Sequence, residues 1–349
     1  MAGSKCALTR RGLFAGAALC LPALLSAGCS NNNRTAAQGR AEDQGTSGST
    51  FAFDTYCTFK IYGDSSAPAK LSQACARYDA LFNLYDETSD IARINAAGGA
   101  PVTVDPCTIA LLERALEFCA SAQGLFDITI GAVSTLWDFS EGVCPSDEEI
   151  ARALPHVNWR CVEVDREGGT VRLADEHAKL DLGGIAKGYV ADQLCELLAR
   201  ETSATGAVLS LGGNIAFYGQ KPDGSLWEAG IRDPNDPGGT SVVGTARVSS
   251  GSLVTSGLYE RTFELDGATY WHILDPRTGM PVQTDTSSVT VFCPSSTTAD
   301  ALSTTLFVAG SSAGAAMADA YDDTAAYFLL QNGGVAESPR WQDLTDFNA

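Results

Sequence analysis

Three short polar segments carry the residues best suited to chemistry. Asp181-Leu-Gly-Gly-Ile-Ala-Lys187-Gly sets a carboxylate and two glycines before a helix that opens with a lysine. His272-Ile-Leu-Asp275-Pro-Arg-Thr-Gly279 closes a strand in a turn. Asp300-Ala-Leu-Ser303-Thr304 places a carboxylate and two hydroxyls on the first turn of another helix. Helix N-termini present N–H groups to anions, and hard oxygen ligands suit magnesium. Taken together, the segments predict a site for a pyrophosphate and its Mg²⁺, and hence an enzyme acting on a phosphate-containing cofactor.

Each segment has a plainer reading when taken alone. The Gly-Gly turn beside Asp181 lets a ligand approach the backbone and leaves the Gly184 carbonyl unscreened, but it also serves as an ordinary turn with a solvated lysine. Lys187 is unfavourably placed for the helix dipole, a placement that a bound anion would explain. Asp300 and Thr304 lie four apart on one helix face and can grip one ion, with Ser303 near enough to reach a phosphate. Such residues are more often simple caps. A lone histidine is usually structural, and Asp275-Pro-Arg-Thr-Gly279 is a turn signature. If the segments converge, His272 is the one histidine among them and the natural general base.

The elements that must position these residues read as a mixture of hairpins and helices. Residues 51–62 alternate like a strand, and 67–85 has helical spacing. Asp105-Pro106 starts a helix that stops at Gly124. Glu167-Gly168-Gly169 joins two strands. A helix over 185–200 is followed by a buried strand at 207–210. Strands and turns then run to Cys293, followed by helices over 300–309 and 311–321 and a strand at 325–330. The pattern predicts an α+β fold, largely antiparallel, as one compact catalytic domain over 51–349. A doubly wound nucleotide fold would need regular β-α alternation and a glycine fingerprint after its first strand, and neither is present.

Residues 1–29 read as an export signal. Lys5, Arg10 and Arg11 precede an apolar run, and Leu25-Ser26-Ala27-Gly28-Cys29 resembles a lipoprotein cleavage site that would leave a lipidated Cys29. An ordinary signal peptide is the alternative. Thr9-Arg10-Arg11-Gly12-Leu13-Phe14 resembles a twin-arginine motif, with a plain basic region as its alternative. Residues 30–50 are small and polar, a flexible tether. The expected location is the extracytoplasmic side of the cell membrane, held there by lipid.

Without its signal the chain carries 42 acids against 20 bases, a net charge of −22. That argues against nucleic acid or anionic lipid as a partner. An anionic substrate must be held locally, by metal, lysine and helix ends. Eight cysteines follow Cys29 without C-x-x-C spacing, and only three histidines are present, so a zinc site is not expected.

Over residues 51–340 the chain resembles the ApbE-type FAD:protein FMN transferases. The resemblance is carried by Phe53-Asp54-Thr55, Tyr85, Ser89-Asp-Ile-Ala-Arg-Ile-Asn95, Gly124-Leu-Phe-Asp127-Ile-Thr129 and Leu136-Trp137. It continues through the Asp181–Tyr189 segment, Ser210-Leu-Gly-Gly-Asn214, Ser256-Gly257-Leu-Tyr-Glu-Arg261, His272-Ile-Leu-Asp275-Pro and Ala299–Thr304. It implies FAD and Mg²⁺, transfer of FMN to a threonine hydroxyl of an exported partner, and release of AMP. Gly184, Asp300 and Thr304 would hold the metal. Phe53, Tyr85, Phe126, Asp127, Asp181, Lys187 and Leu274 would line the FAD pocket, and His272 would activate the threonine. Phe53 stands where the family usually has methionine. Asp266-Gly-Ala-Thr269 resembles the family's acceptor motif superficially and is read as a hairpin turn. Rival readings are an FAD pyrophosphatase yielding FMN and AMP, a lipoprotein that binds FAD without cutting it, and a redox flavoenzyme.

Overall fold

The computed structural model describes residues 45–236 and 240–349. The signal, Cys29 and residues 30–44 of the tether fall outside the described residues. In chain order the strands and helices up to the first site segment are β1 (Thr46–Ala52), β2 (Thr55–Tyr62), α1 (Ala67–Phe82), α2 (Asp90–Ala96), β3 (Val102–Thr103), α3 (Pro106–Ser121), α4 (Gly131–Ser134), α5 (Asp147–Ala153), β4 (Val162–Asp165) and β5 (Thr170–Leu173). Then come α6 (Ala186–Glu201), β6 (Gly206–Leu211), β7 (Asn214–Gly219), β8 (Trp227–Arg232), β9 (Val242–Val248), β10 (Gly251–Gly257), β11 (Thr262–Leu265) and β12 (Ala268–Trp271). The chain finishes with β13 (Thr286–Cys293), α7 (Ser296–Ala309), α8 (Ser311–Asp319), β14 (Ala325–Leu330), β15 (Val335–Glu337) and α9 (Trp341–Thr345).

Eight strands form one sheet in the order β1-β2-β6-β7-β10-β13-β14-β15, every neighbour antiparallel. Helices α1, α6, α7 and α8 cover one face and bury the main core, including Phe59, Leu71, Leu194, Leu209 and Phe307. On the other face the β8–β9 ribbon seals a second core around Phe217, Trp227, Phe292 and Trp341. The fold is α+β, with antiparallel pairing throughout this sheet. A sheet strand covered on both sides reads as a continuous apolar run, as in β14.

Two boundaries differ from the sequence expectation. Residues 46–50 belong to β1, so the ordered domain begins inside the segment read as tether. These residues are small and polar because β1 is an edge strand with one solvated face. Gly48 lets α1 lie close, since a Cβ there would stand 2.6 Å from that of Pro68. The single strand expected over 51–62 is instead a tight hairpin, turning at Phe53 and Asp54 with φ of 55° and 57°. The alternation of side chains continues through a two-residue turn, so periodicity alone does not reveal it.

A third difference bears on the site. Helix α7 starts at Ser296, four residues before Asp300, which therefore occupies the second turn rather than the first. The N-terminus of α7 is not open to an anion. Asp192 of α6 accepts hydrogen bonds there from Ser296 N at 2.8 Å and from Thr297 N at 2.9 Å.

Helices α6 and α7 cross closely at Gly188. A Cβ on Gly188 would overlap the carbonyl oxygen of Ser296 and lie 2.6 Å from Asp300 Cβ. Gly188→Ala is therefore expected to lower stability by about 1–3 kcal/mol, as for other overpacked core positions, measured by urea unfolding. A parent-like midpoint would show that the crossing relaxes freely.

Candidate active site

The crossing brings the first and third polar segments together. In an undisturbed helix the N–H of Gly188 would reach back to the carbonyl of Gly184. Here it donates to Asp300 Oδ2 at 2.8 Å. Among the described residues, the Gly184 carbonyl accepts no backbone hydrogen bond and Asp300 Oδ1 accepts none from the protein. Thr304 lies one turn along α7 from Asp300. A Cβ on Gly184 would come 3.1 Å from Thr304 Oγ1 and from the Phe126 ring, so the Gly184 backbone lies close against both. The Gly184 backbone thus lies beside Thr304 near the crossing that holds Asp300, and a carbonyl, a carboxylate and a hydroxyl are hard oxygen donors of the kind that fit magnesium. Among the described residues no three His, Cys, Asp or Glu side chains gather to hold a metal. An ion on this set would complete its shell with oxygens from water or a ligand.

Asp181 and Lys187 frame this corner. Asp181 accepts from Ser134 Oγ at 2.7 Å and from Gly183 N at 2.9 Å. Lys187 Nζ donates to the Gly183 carbonyl at 3.1 Å, and no carboxylate pairs with it among the described residues. Phe126 is buried against Gly184. Asp127 has both oxygens engaged, by Thr129 N and Oγ1 and by Trp159 N, so it braces the turn that carries Phe126. Ser303 departs from expectation. Fully buried, it donates to the Asp300 carbonyl and pairs with Ser256 of β10 at 2.8 Å, so its hydroxyl faces the sheet rather than a phosphate.

The second segment approaches from the β11–β12 hairpin. His272 N donates to the Arg261 carbonyl at 3.2 Å, continuing the ladder by one rung. Burial, with Arg261 and Lys187 nearby, pushes His272 down to about 3. Its ring is neutral at neutral pH, and the shielded Nδ1 has no hydrogen-bond partner. Leu274 packs in a small satellite core with Val133, Trp137 and Ile150. Asp275 orders the turn after it, pairing with Arg277. The hairpin is fastened by rings: Phe263 stacks on Tyr270 at 5.2 Å, Phe263 meets Phe139 at 5.6 Å, and Tyr270 meets Trp137 at 5.8 Å.

Phe53 and Tyr85 stand at the rim. Phe53 N donates to Asp79 Oδ1 at 2.9 Å, which holds the hairpin tip in its left-handed conformation. Asp54 pairs with Arg261 at 3.2 Å, joining the tip to the root of β11. Tyr85 is 80 % exposed, yet the protein around it and the charge of Asp181 raise its phenol pKa. Gly188, Ser134 and Arg261 were not singled out by sequence reasoning, although Gly188 and Arg261 lie within the motifs it used. Asp192 carried no local signal.

A single-domain α+β protein with a hard-oxygen corner beside a neutral histidine is the class that this fold and site define. Residues 53–328 match the ApbE family. The FAD:protein FMN transferase of Treponema pallidum is 36 % identical over 327 residues, which cover 86 % of this chain and 88 % of that protein. The ApbE protein of Thermotoga maritima superposes with a TM-score of 0.77 at 31 % identity, covering 86 % of this chain and 99 % of that one. The apo flavinyl transferase ApbE of Pseudomonas stutzeri gives 0.76 at 27 % identity, covering 88 % and 98 %. This chain belongs to the ApbE family.

Because His272 is depressed from its ordinary 6.5 to about 3, the folded protein binds fewer protons than the unfolded chain between those values. Stability is therefore expected to fall as pH drops below about 6.5. His272→Gln should flatten this slope, seen by comparing urea midpoints at about pH 7.5 and 5. An unchanged slope would mean that the imidazole titrates normally.

Proposed function

We propose that this protein is a Mg²⁺-dependent FAD:protein FMN transferase, held by a lipid on Cys29 at the extracytoplasmic side of the cell membrane. The family and the activity of its relatives support the reaction class. The single observation that carries the site is the diverted Gly188 N–H, which leaves the Gly184 carbonyl free beside Asp300 and Thr304. Those three groups would hold Mg²⁺, which when bound neutralises charge on the diphosphate.

The remaining steps belong to the protein's own side chains. Lys187 supplies a cation, and Asp181 orders the Gly-Gly turn. Phe53, Tyr85 and Phe126 offer ring surface to the flavin dinucleotide. The acceptor's threonine oxygen bonds to the FMN phosphorus as the bond to the bridging oxygen breaks. AMP leaves with that oxygen, and the hydroxyl proton passes to His272. Phosphoryl transfer asks chiefly for alignment and charge neutralisation. His272 is a weak base chiefly because it is buried, with Arg261 and Lys187 adding to the effect. A diphosphate would offset the two cations and so raise its basicity by that smaller part.

Incubating the full chain with FAD, Mg²⁺ and a protein domain bearing an acceptor threonine should add one FMN to that domain, with AMP in equal amount, read by intact mass. Free FMN without adduct would mean hydrolysis, and unchanged FAD would mean a carrier. Asp300→Ala is expected to lower transfer about 100-fold or more and to shift the Mg²⁺ requirement upward. His272→Ala should lower it by about 10²–10⁴ while FAD affinity stays within about threefold. Transfer at the parent rate would remove His272 from the mechanism.

A further inference from the structure

The root of the β11–β12 hairpin carries two side chains toward the site. Thr262 pairs with Trp271, so the next rung sets Arg261 directly opposite His272, as the 3.2 Å hydrogen bond from His272 N to the Arg261 carbonyl records. Directly opposed residues of an antiparallel pair project from the same face. The guanidinium of Arg261 therefore accompanies the imidazole. Among the described residues its one ion-pair partner is Asp54, a single contact at 3.2 Å to a carboxylate at the rim. Half of the Arg261 side chain remains exposed, which leaves most of its five donors unused.

We infer that Arg261 is a second cation for the diphosphate of the bound dinucleotide, acting beside Lys187. The inference rests on the FAD-dependent reading above. Its motive is electrostatic: a chain with 42 acids and 23 bases must gather positive charge locally to hold an anion. Lys187 is a point charge, whereas a guanidinium can meet two phosphate oxygens at once and stays protonated. When the bridging P–O bond breaks, negative charge collects on the oxygen that departs with AMP, and a fixed cation there favours the transition state. Asp54, held at the strained hairpin tip, serves as the counter-ion that Arg261 keeps until phosphate arrives.

The competing role is mechanical, with Arg261 only a strut between two hairpins. Binding separates the two roles without an acceptor protein. FAD and riboflavin, which lacks phosphate, are titrated into the full chain with Mg²⁺ present, and flavin fluorescence is followed. Arg261→Gln is expected to weaken FAD about 10- to 100-fold, the range for losing a charge-assisted bond, and to leave riboflavin unchanged. Arg261→Lys should fall between. Asp54→Asn breaks the same ion pair but keeps the cation, so FAD should bind at least as tightly as to the parent. Parent-like FAD affinity in Arg261→Gln overturns the inference. So does an equal loss for FAD and riboflavin, or a loss in Asp54→Asn matching that in Arg261→Gln. Should the parent bind FAD yet transfer nothing, the transferase reading fails while these affinities still decide the role of Arg261.

Discussion

Where α6 and α7 cross, the N–H of Gly188 is given to a carboxylate of the neighbouring helix instead of to its own, and the rest of the site depends on that exchange. It orients Asp300, releases the Gly184 carbonyl, and fixes the distance between the two helices at one that only glycine permits. A hydrogen bond to an ionised acceptor is worth more than a neutral one, so the lost helical bond is more than replaced. The unmet oxygens that result are local frustration concentrated at one place, as expected of a site awaiting a ligand.

Around that contact the scaffold is over-determined. Helix α7 is pinned along β10 by two hydroxyl pairs, Ser252 with Ser296 at 2.9 Å and Ser256 with Ser303 at 2.8 Å. Its first turn is locked to α6 by Asp192. Phe126 reaches the corner on a turn held by Asp127, and Asp181 is braced by Ser134. The rigid parts hold the oxygens. The rim, by contrast, is built of two hairpins joined by one exposed ion pair, a weak link at the surface.

Much of this was legible in the sequence, for identifiable reasons. The α3 start at Asp105-Pro106 was readable because a carboxylate cap and a proline act locally, and the cap bond to Cys107 N is present. The α6 span followed from its apolar periodicity, and motif spacing set Gly184, Asp300 and Thr304 apart as candidates. What escaped depends on distant partners. Ser303 was read as a phosphate contact because its position on the helix allowed it, but Ser256, 47 residues earlier, claims its hydroxyl. The α7 start was misplaced because Ser295 and Asp192 cap it together across 103 residues. Strand β1 has no apolar alternation to betray it, since it needs only backbone pairing and the Gly48 contact with Pro68.

The ring ladder beneath the β11–β12 hairpin has an optical consequence. Phe139, Phe263, Tyr270 and Trp137 form a continuous aromatic path between the hairpin and the body, with Trp137 at its anchored end, 5.7 Å from Phe139. The Trp137 indole N–H is buried without a partner, so the polarity around it is set by those rings. Any swing of the hairpin carries Tyr270 away and admits water to the indole. In a variant that keeps Trp137 and replaces the other four tryptophans, ultraviolet emission therefore gauges the position of the hairpin, and with it that of His272 at its root.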